Sequence, residues 1–119
     1  MQLANPVLFR QQAYINGVWL DADSSATIEV TNPANGEVIG SVPDMNAAEA
    51  ARAIESARVA MISWRKLTAK QRAVILRRWF DLIMVNQDDL GKIMTLEQGK
   101  PLVEAKGEIA YAASFIDWF

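Results

Sequence analysis

Hydrophobic positions alternate with polar ones through the first 45 residues and recur about every 3.6 residues thereafter, which predicts a β-rich part, 1–45, followed by a helical part, 46–119. Ala13-Tyr14-Ile15 and Val18-Trp19-Leu20 flank Asn16-Gly17, the pair that most readily supplies two positive φ angles for a tight hairpin turn. Further on, Ile28 and Val30 alternate with Thr27, Glu29 and Thr31, and Asn35-Gly36 turns the chain into Val38, Ile39 and Val42. Pro33 and Pro43 bound this second unit, because proline cannot donate to a strand ladder. Two small hairpins are therefore expected.

Asn46 with Glu49 three residues later has the form of a capping box, and Ala50, Ala53, Ile54, Ala57, Ala60, Met61 and Trp64 then make one apolar stripe. Thr68 with Gln71 repeats the start signal, and Ala73, Leu76, Trp79, Phe80 and Ile83 continue to about Asn86. Asn86 is the expected cap of a third helix, with Asp88 and Asp89 in its first turn where the helix dipole favours negative charge. Leu90, Ile93, Met94 and Glu97 follow at helical spacing, while Gly91 inside this helix costs about 1 kcal/mol against alanine. Gly99-Lys100-Pro101 marks a boundary, since glycine suits the left-handed position after a helix and proline the first turn of the next. A fourth helix is expected from about Pro101 to the end. The fold class is mixed α/β, with small β-hairpins followed by about four α-helices.

The last helix distributes Ile109, Tyr111, Ala112, Ala113, Phe115, Ile116, Trp118 and Phe119 around its whole circumference, with Ser114 and Asp117 as the polar interruptions. Such a helix has to be buried on every side. The expectation is that its covering layers come from polypeptide beyond position 119; the alternative is a small module that dimerises through this surface. Gly107, in the middle of the helix, is expected to let a neighbouring backbone or a large ring come close.

Composition narrows the chemistry. The 119 residues are 51% hydrophobic with a net charge of -2, which fits a globular protein and gives no polyanion-binding signature. The absence of cysteine removes disulfides, thiolate metal sites and thiol nucleophiles, and fits the cytoplasm; there is no histidine either. The N-terminus carries only Val7 to Phe9 as an apolar run, so no signal peptide is expected. The longest mostly apolar stretch, Ile109 to Ile116, is less than half of the ~20 residues a membrane helix needs.

Glu104 and Glu108 lie four apart on one helix face, a spacing open to paired acid/base work or a hard cation, yet Lys100 and Lys106 nearby favour an ion-paired surface. Eight basic residues stand between Arg52 and Trp79 against one acidic residue, Glu55, and Trp64 and Trp79 offer rings for stacking. These charges fall on the polar sides of two amphipathic helices, so no nucleic-acid partner is expected. Neither a dinucleotide fingerprint nor a Walker loop can be drawn through Gly36, Gly40, Gly99 and Gly107. No catalytic, cofactor-binding or metal-ligating residue is assigned.

The motifs taken in order resemble the N-terminus of the aldehyde dehydrogenase superfamily. They are Ile15-Asn16-Gly17 with Trp19, then Thr31-Asn32-Pro33-Ala34-Asn35-Gly36 through Ile39 and Val42-Pro43, and the Ala-rich helix ending at Trp64-Arg65. Arg72 and Leu76 follow, and last come Leu96-Glu97-Gln98-Gly99-Lys100-Pro101 with Glu104-Ala105. The run from Leu8 to Ala13 and the run from Glu104 to Phe119 look most like bacterial succinate-semialdehyde and glutarate-semialdehyde dehydrogenases. Met61-Ile62-Ser63 departs from the Pro-containing stretch usual before the tryptophan, and Val85 and Gly91 depart from better helix formers or more polar residues.

The resemblance implies a cytoplasmic, homo-oligomeric (dimeric or tetrameric) enzyme that oxidises succinate semialdehyde to succinate with NADP or NAD, as in GABA degradation; glutarate semialdehyde is the alternative substrate. It also implies that the nucleophilic cysteine, the glutamate base and the oxyanion-holding amide lie outside residues 1–119, so that this segment alone is inactive and binds no cofactor. By the same likeness the last helix forms part of the wall of the aldehyde entrance tunnel, with Glu108, Ala112 and Phe115 on the lining face.

Overall fold

The computed structural model describes residues 2–118. After a short 3-10 turn at Pro6–Leu8 come strands β1 (Ala13–Ile15) and β2 (Val18–Leu20), then β3 (Thr27–Thr31) and β4 (Val38–Pro43). Each pair forms its own two-stranded antiparallel sheet. Tyr14 sits opposite Trp19 across the first turn, where Asn16 and Gly17 adopt φ of 51° and 82° as a tight hairpin requires. Ile28 pairs with Val42 in the second sheet, and the register shifts between Val30 and Thr31. Its connection is built by asparagine side chains. Asn32 Oδ1 accepts from Ala34 N at 3.0 Å, and Asn35 Oδ1 from Glu37 N at 3.1 Å, around a Gly36 with φ of 74°.

Four helices follow: α1 (Ala47–Trp64), α2 (Ala69–Val85), α3 (Gln87–Gln98) and α4 (Leu102–Trp118). Both expected capping boxes form. Asn46 accepts from Ala48 N and Glu49 N while Glu49 Oε2 accepts from Asn46 N at 2.7 Å; Thr68 and Gln71 repeat the arrangement at α2. Gly99 closes α3 at φ 77°, its N–H donating to Thr95 O at 2.8 Å.

Two local expectations are corrected and one is extended. Asn86 stands at the N-cap position of α3, but its side chain makes no capping bond there: its Nδ2 donates back to Leu82 O at 2.8 Å, at the end of α2. Asp88 and Asp89 do stand in the first turn of α3, but their carboxylates serve tertiary partners rather than a cap. Asp88 pairs with Lys106 at 2.8 Å, and Asp89 accepts from Asn5 N at 2.7 Å. The roles of two glycines are exchanged as well. A Cβ on Gly107 would meet nothing within 4 Å, whereas one on Gly91 would lie 2.9 Å from Lys106 Cγ and 3.4 Å from Lys106 N. Gly91 is the point where α3 and α4 approach, so its cost in helix propensity is offset by packing.

The packed centre is the layer formed by α2, α3 and α4. Ala105 and Ala113 are fully buried there, and Gly91 of α3 is buried against Lys106. By contrast α1 stands against the rest mainly through its first turns, where Ala22 and Glu49 are buried. Its apolar stripe faces outward, with Ile54 71% exposed. Within this chain α4 is covered on one side and left open on the other. One face, with Ala105, Ala113, Ile109 and Ile116, turns inward; the other leaves Val103, Tyr111 and Trp118 in the open. Phe119, assigned to the same surface from sequence, lies outside the described residues. The accessible surface is 8595 Å², against about 6,400 Å² for a compact protein of this length. The radius of gyration, 16.5 Å, likewise exceeds the ~13.5 Å of a compact domain.

Candidate functional site

Glu108, Ala112 and Phe115 stand at i, i+4 and i+7 on α4, so a helical period brings them onto one face, and all three are exposed. Two neighbours complete this face. Tyr111 meets Phe115 edge-on, with ring centroids 4.9 Å apart and an interplanar angle of 81°. Lys100, from the α3–α4 connection, forms an ion pair with Glu108. The left-handed turn at Gly99 redirects the chain so that Lys100 lies beside the first turns of α4 with its side chain only 23% exposed.

Sequence reasoning placed Glu108, Ala112 and Phe115 together and had Lys100 close by. It did not include Tyr111 in the face. The signal was available in the i, i+4 spacing of the two rings.

Of the other charged groups of α4, Glu104 shares this face one turn earlier, while two are directed elsewhere. Lys106 pairs with Asp88 of α3, and Asp117 with Arg77 of α2. Among the described residues no cluster of three or more acidic, histidine or cysteine side chains occurs that could hold a metal ion. Nor, among the described residues, is any helix long and apolar enough to cross a membrane.

A cleft of about 450 Å³ lies between α2 and the ends of α1 and α4, lined by Trp64, Arg72, Leu76, Arg77, Ile116 and Trp118. Its cations are engaged within the fold. Arg72 Nη1 donates to Leu67 O at 2.6 Å, and the Arg77 guanidinium lies 4.6 Å over the Phe80 ring while pairing with Asp81 and Asp117. Farther along the basic run, Arg52 is held by Asp23 and Arg58 by Glu55.

The N-terminal segment is fixed to α3 by Asp89. The backbone N–H of Asn5, and then the Lys92 ammonium 3.0 Å away, hold this carboxyl below the usual aspartate range. Lys92 also donates to Gln2 O at 3.3 Å. Because the folded-state pKa lies below the unfolded value of about 3.9, the tether is complete above that pH and is lost as pH falls through the lower folded value. In an acid titration followed by NMR, the Asn5 amide should shift with an inflection below about 3.9, and Asp89→Asn should abolish it. An inflection at or above the ordinary value would show that Asp89 does not hold Asn5 in this way.

Comparison with known proteins is consistent with the architecture. The sequence model of the aldehyde dehydrogenase family matches residues 19–119. Glutarate-semialdehyde dehydrogenase of Pseudomonas putida KT2440 is 69% identical over 119 residues, covering 100% of this chain and 25% of the relative. The succinate-semialdehyde dehydrogenase (NADP(+)) GabD of Escherichia coli K12 is 64% identical over 119 residues, with the same shares of each chain. The crystal structure of succinate-semialdehyde dehydrogenase from Burkholderia pseudomallei superposes with a TM-score of 0.96 at 64% identity, over 99% of this chain and 24% of that one. The chain thus spans about a quarter of the length of these relatives. Its two small hairpins and four helices reproduce the corresponding part of their fold, and the chain belongs to the aldehyde dehydrogenase family.

Proposed function

We propose that this chain is the N-terminal quarter of an NAD(P)-dependent aldehyde dehydrogenase that oxidises succinate semialdehyde to succinate. The observation that carries the reading is the family match over residues 19–119, joined to 64% identity with a succinate-semialdehyde dehydrogenase along the whole chain. The open surface agrees with it: apolar faces on α1, α2 and α4 call for further polypeptide to cover them. Residues 1–45 and 46–119 then act as the β-rich and helical parts of one incomplete domain.

A thiolate that attacks the aldehyde carbon, a nicotinamide that takes the hydride and a base that activates water for thioester hydrolysis are the requirements of this oxidation. The chain has neither cysteine nor histidine, so the thiol must come from residues outside it and the segment alone is inactive. Its contribution is to the route of the substrate. Glu108, Ala112 and Phe115 form part of the wall along which the aldehyde approaches, with the Tyr111–Phe115 ring pair offering apolar contact to the methylene stem. NADP is the favoured cofactor, in keeping with the name of the Escherichia coli relative, and NAD is the alternative. A cytoplasmic homodimer or homotetramer serving GABA degradation completes the reading.

A second reading is favoured by a specific observation. The Pseudomonas putida relative, at 69% identity, is a glutarate-semialdehyde dehydrogenase, so the longer aldehyde acid is the rival substrate. Reading the coding sequence beyond position 119, expressing the continuous product and following NADPH or NADH formation with each semialdehyde separates the two. We expect a downstream cysteine and turnover of succinate semialdehyde by the full product, with none by residues 1–119. A stop codon directly after position 119 in an intact gene would favour a stand-alone interaction module instead, and a full product that oxidises no aldehyde would refute the dehydrogenase reading.

A further inference from the structure

We infer that Lys100 is a specificity-determining residue for an anionic aldehyde: by pairing with Glu108 it cancels the negative charge on the substrate-facing side of α4. This rests on the reading of the preceding subsection, in which Glu108, Ala112 and Phe115 line the approach of the aldehyde.

The physical case begins with the substrate. A semialdehyde acid is ionised near pH 7, so an uncompensated carboxylate on its path repels it. Glu108 is such a carboxylate, with its side chain 47% exposed on the same face as Ala112 and Phe115. Closing that face beneath further polypeptide lowers the local dielectric and strengthens the repulsion. Lys100 is the cation placed against Glu108, and its side chain is held at 23% exposure. Pro101 directly after it restricts the backbone that positions it.

Among the described residues, the neighbouring cations are engaged elsewhere. Lys106 is paired with Asp88, and Arg77 with Asp81 and Asp117. Glu104 lies one turn before Glu108, in the first turn of α4, where the helix terminus partly offsets its charge. The balance of the face therefore turns on the Lys100–Glu108 pair. An uncharged aldehyde does not sense that balance, which supplies the readout.

The test uses the full-length enzyme and compares KM and kcat for the semialdehyde it oxidises with those for an uncharged aldehyde of the same chain length, butanal in the case of succinate semialdehyde. Lys100→Met should raise the ratio of the two KM values about fivefold, as expected for one uncompensated charge near the path, and the effect should shrink at high salt. The kcat ratio should not move. Glu108→Gln should lower the KM ratio, the double variant should return it close to that of the unaltered enzyme, and Lys100→Arg should preserve it.

A KM ratio that stays constant in Lys100→Met and in Glu108→Gln, in an enzyme that oxidises the semialdehyde, overturns the inference and leaves the proposed function standing. Should Lys100→Met not fold, Glu108→Gln alone decides, because it removes the carboxylate while keeping the lysine. If the unaltered full-length protein oxidises neither aldehyde, the proposed function fails first and this inference with it.

Discussion

Glu49→Ala should destabilise the protein by about 3 kcal/mol, more than the loss of any exposed ion pair in the helical part. The side chain is 1% exposed, and both of its oxygens are committed to backbone donors. Oε1 accepts from Asp23 N and Oε2 from Asn46 N, each at 2.7 Å. Truncation leaves two N–H groups without their acceptor in a place where water enters poorly, and each such loss costs about 1–3 kcal/mol. It also removes half of the capping box that starts α1.

The Arg52–Asp23 bridge joins the same two segments at 2.8 Å, but both side chains are more than half exposed, so Arg52→Ala should cost less than about 1 kcal/mol. Glu49→Gln keeps one acceptor oxygen and should fall between the two. Equilibrium unfolding of the full-length product, combined with amide exchange at Asp23 and Asn46, checks the order. A greater loss in Arg52→Ala than in Glu49→Ala would mean that α1 is held by its surface charges and not by the buried carboxylate.

What was legible in the sequence is what local chemistry decides. Asn16-Gly17 forces its hairpin, Asn46 with Glu49 and Thr68 with Gln71 start their helices, and Gly99 ends one, because each signal acts within about four residues. Signals that depend on a distant segment were missed. Asp89 looks like a first-turn acid until Asn5, 84 positions away, is brought onto it. The second role of Glu49 is hidden in the same way, since its partner Asp23 lies in a loop 26 positions earlier.

Gly91 and Gly107 are equivalent as mid-helix glycines in the sequence; only the crossing of α3 on α4 distinguishes the one that must lack a Cβ. At the candidate site the helical period was enough to bring Glu108, Ala112 and Phe115 to one face. The same period carried no information about which side of α4 would be covered. That depends on where α2 and α3 pack, and they occupy the side of Ala105 and Ala113.

Residues 1–119 expressed alone should associate in a concentration-dependent way and enhance the fluorescence of a hydrophobic dye strongly, with no sharp cooperative melt. The surface exceeds that of a compact protein of this length by about 2,200 Å², whereas one partner in an ordinary specific interface covers about 800 Å². The excess is also distributed. Ile54 on α1, Val85 on α2 and Trp118 on α4 are 71%, 82% and 83% exposed, and they sit on three different helices. A single two-fold contact buries one patch on each copy, so dimerisation through α4 would leave the α1 stripe in water and association would continue. Light scattering across a dilution series together with dye titration measures this directly. A monodisperse monomer or dimer that leaves the dye dark and unfolds in one cooperative step would show that these faces are stable in water. The exposed apolar surface would then no longer argue for a covering layer, and the stand-alone module would become the better account of the chain.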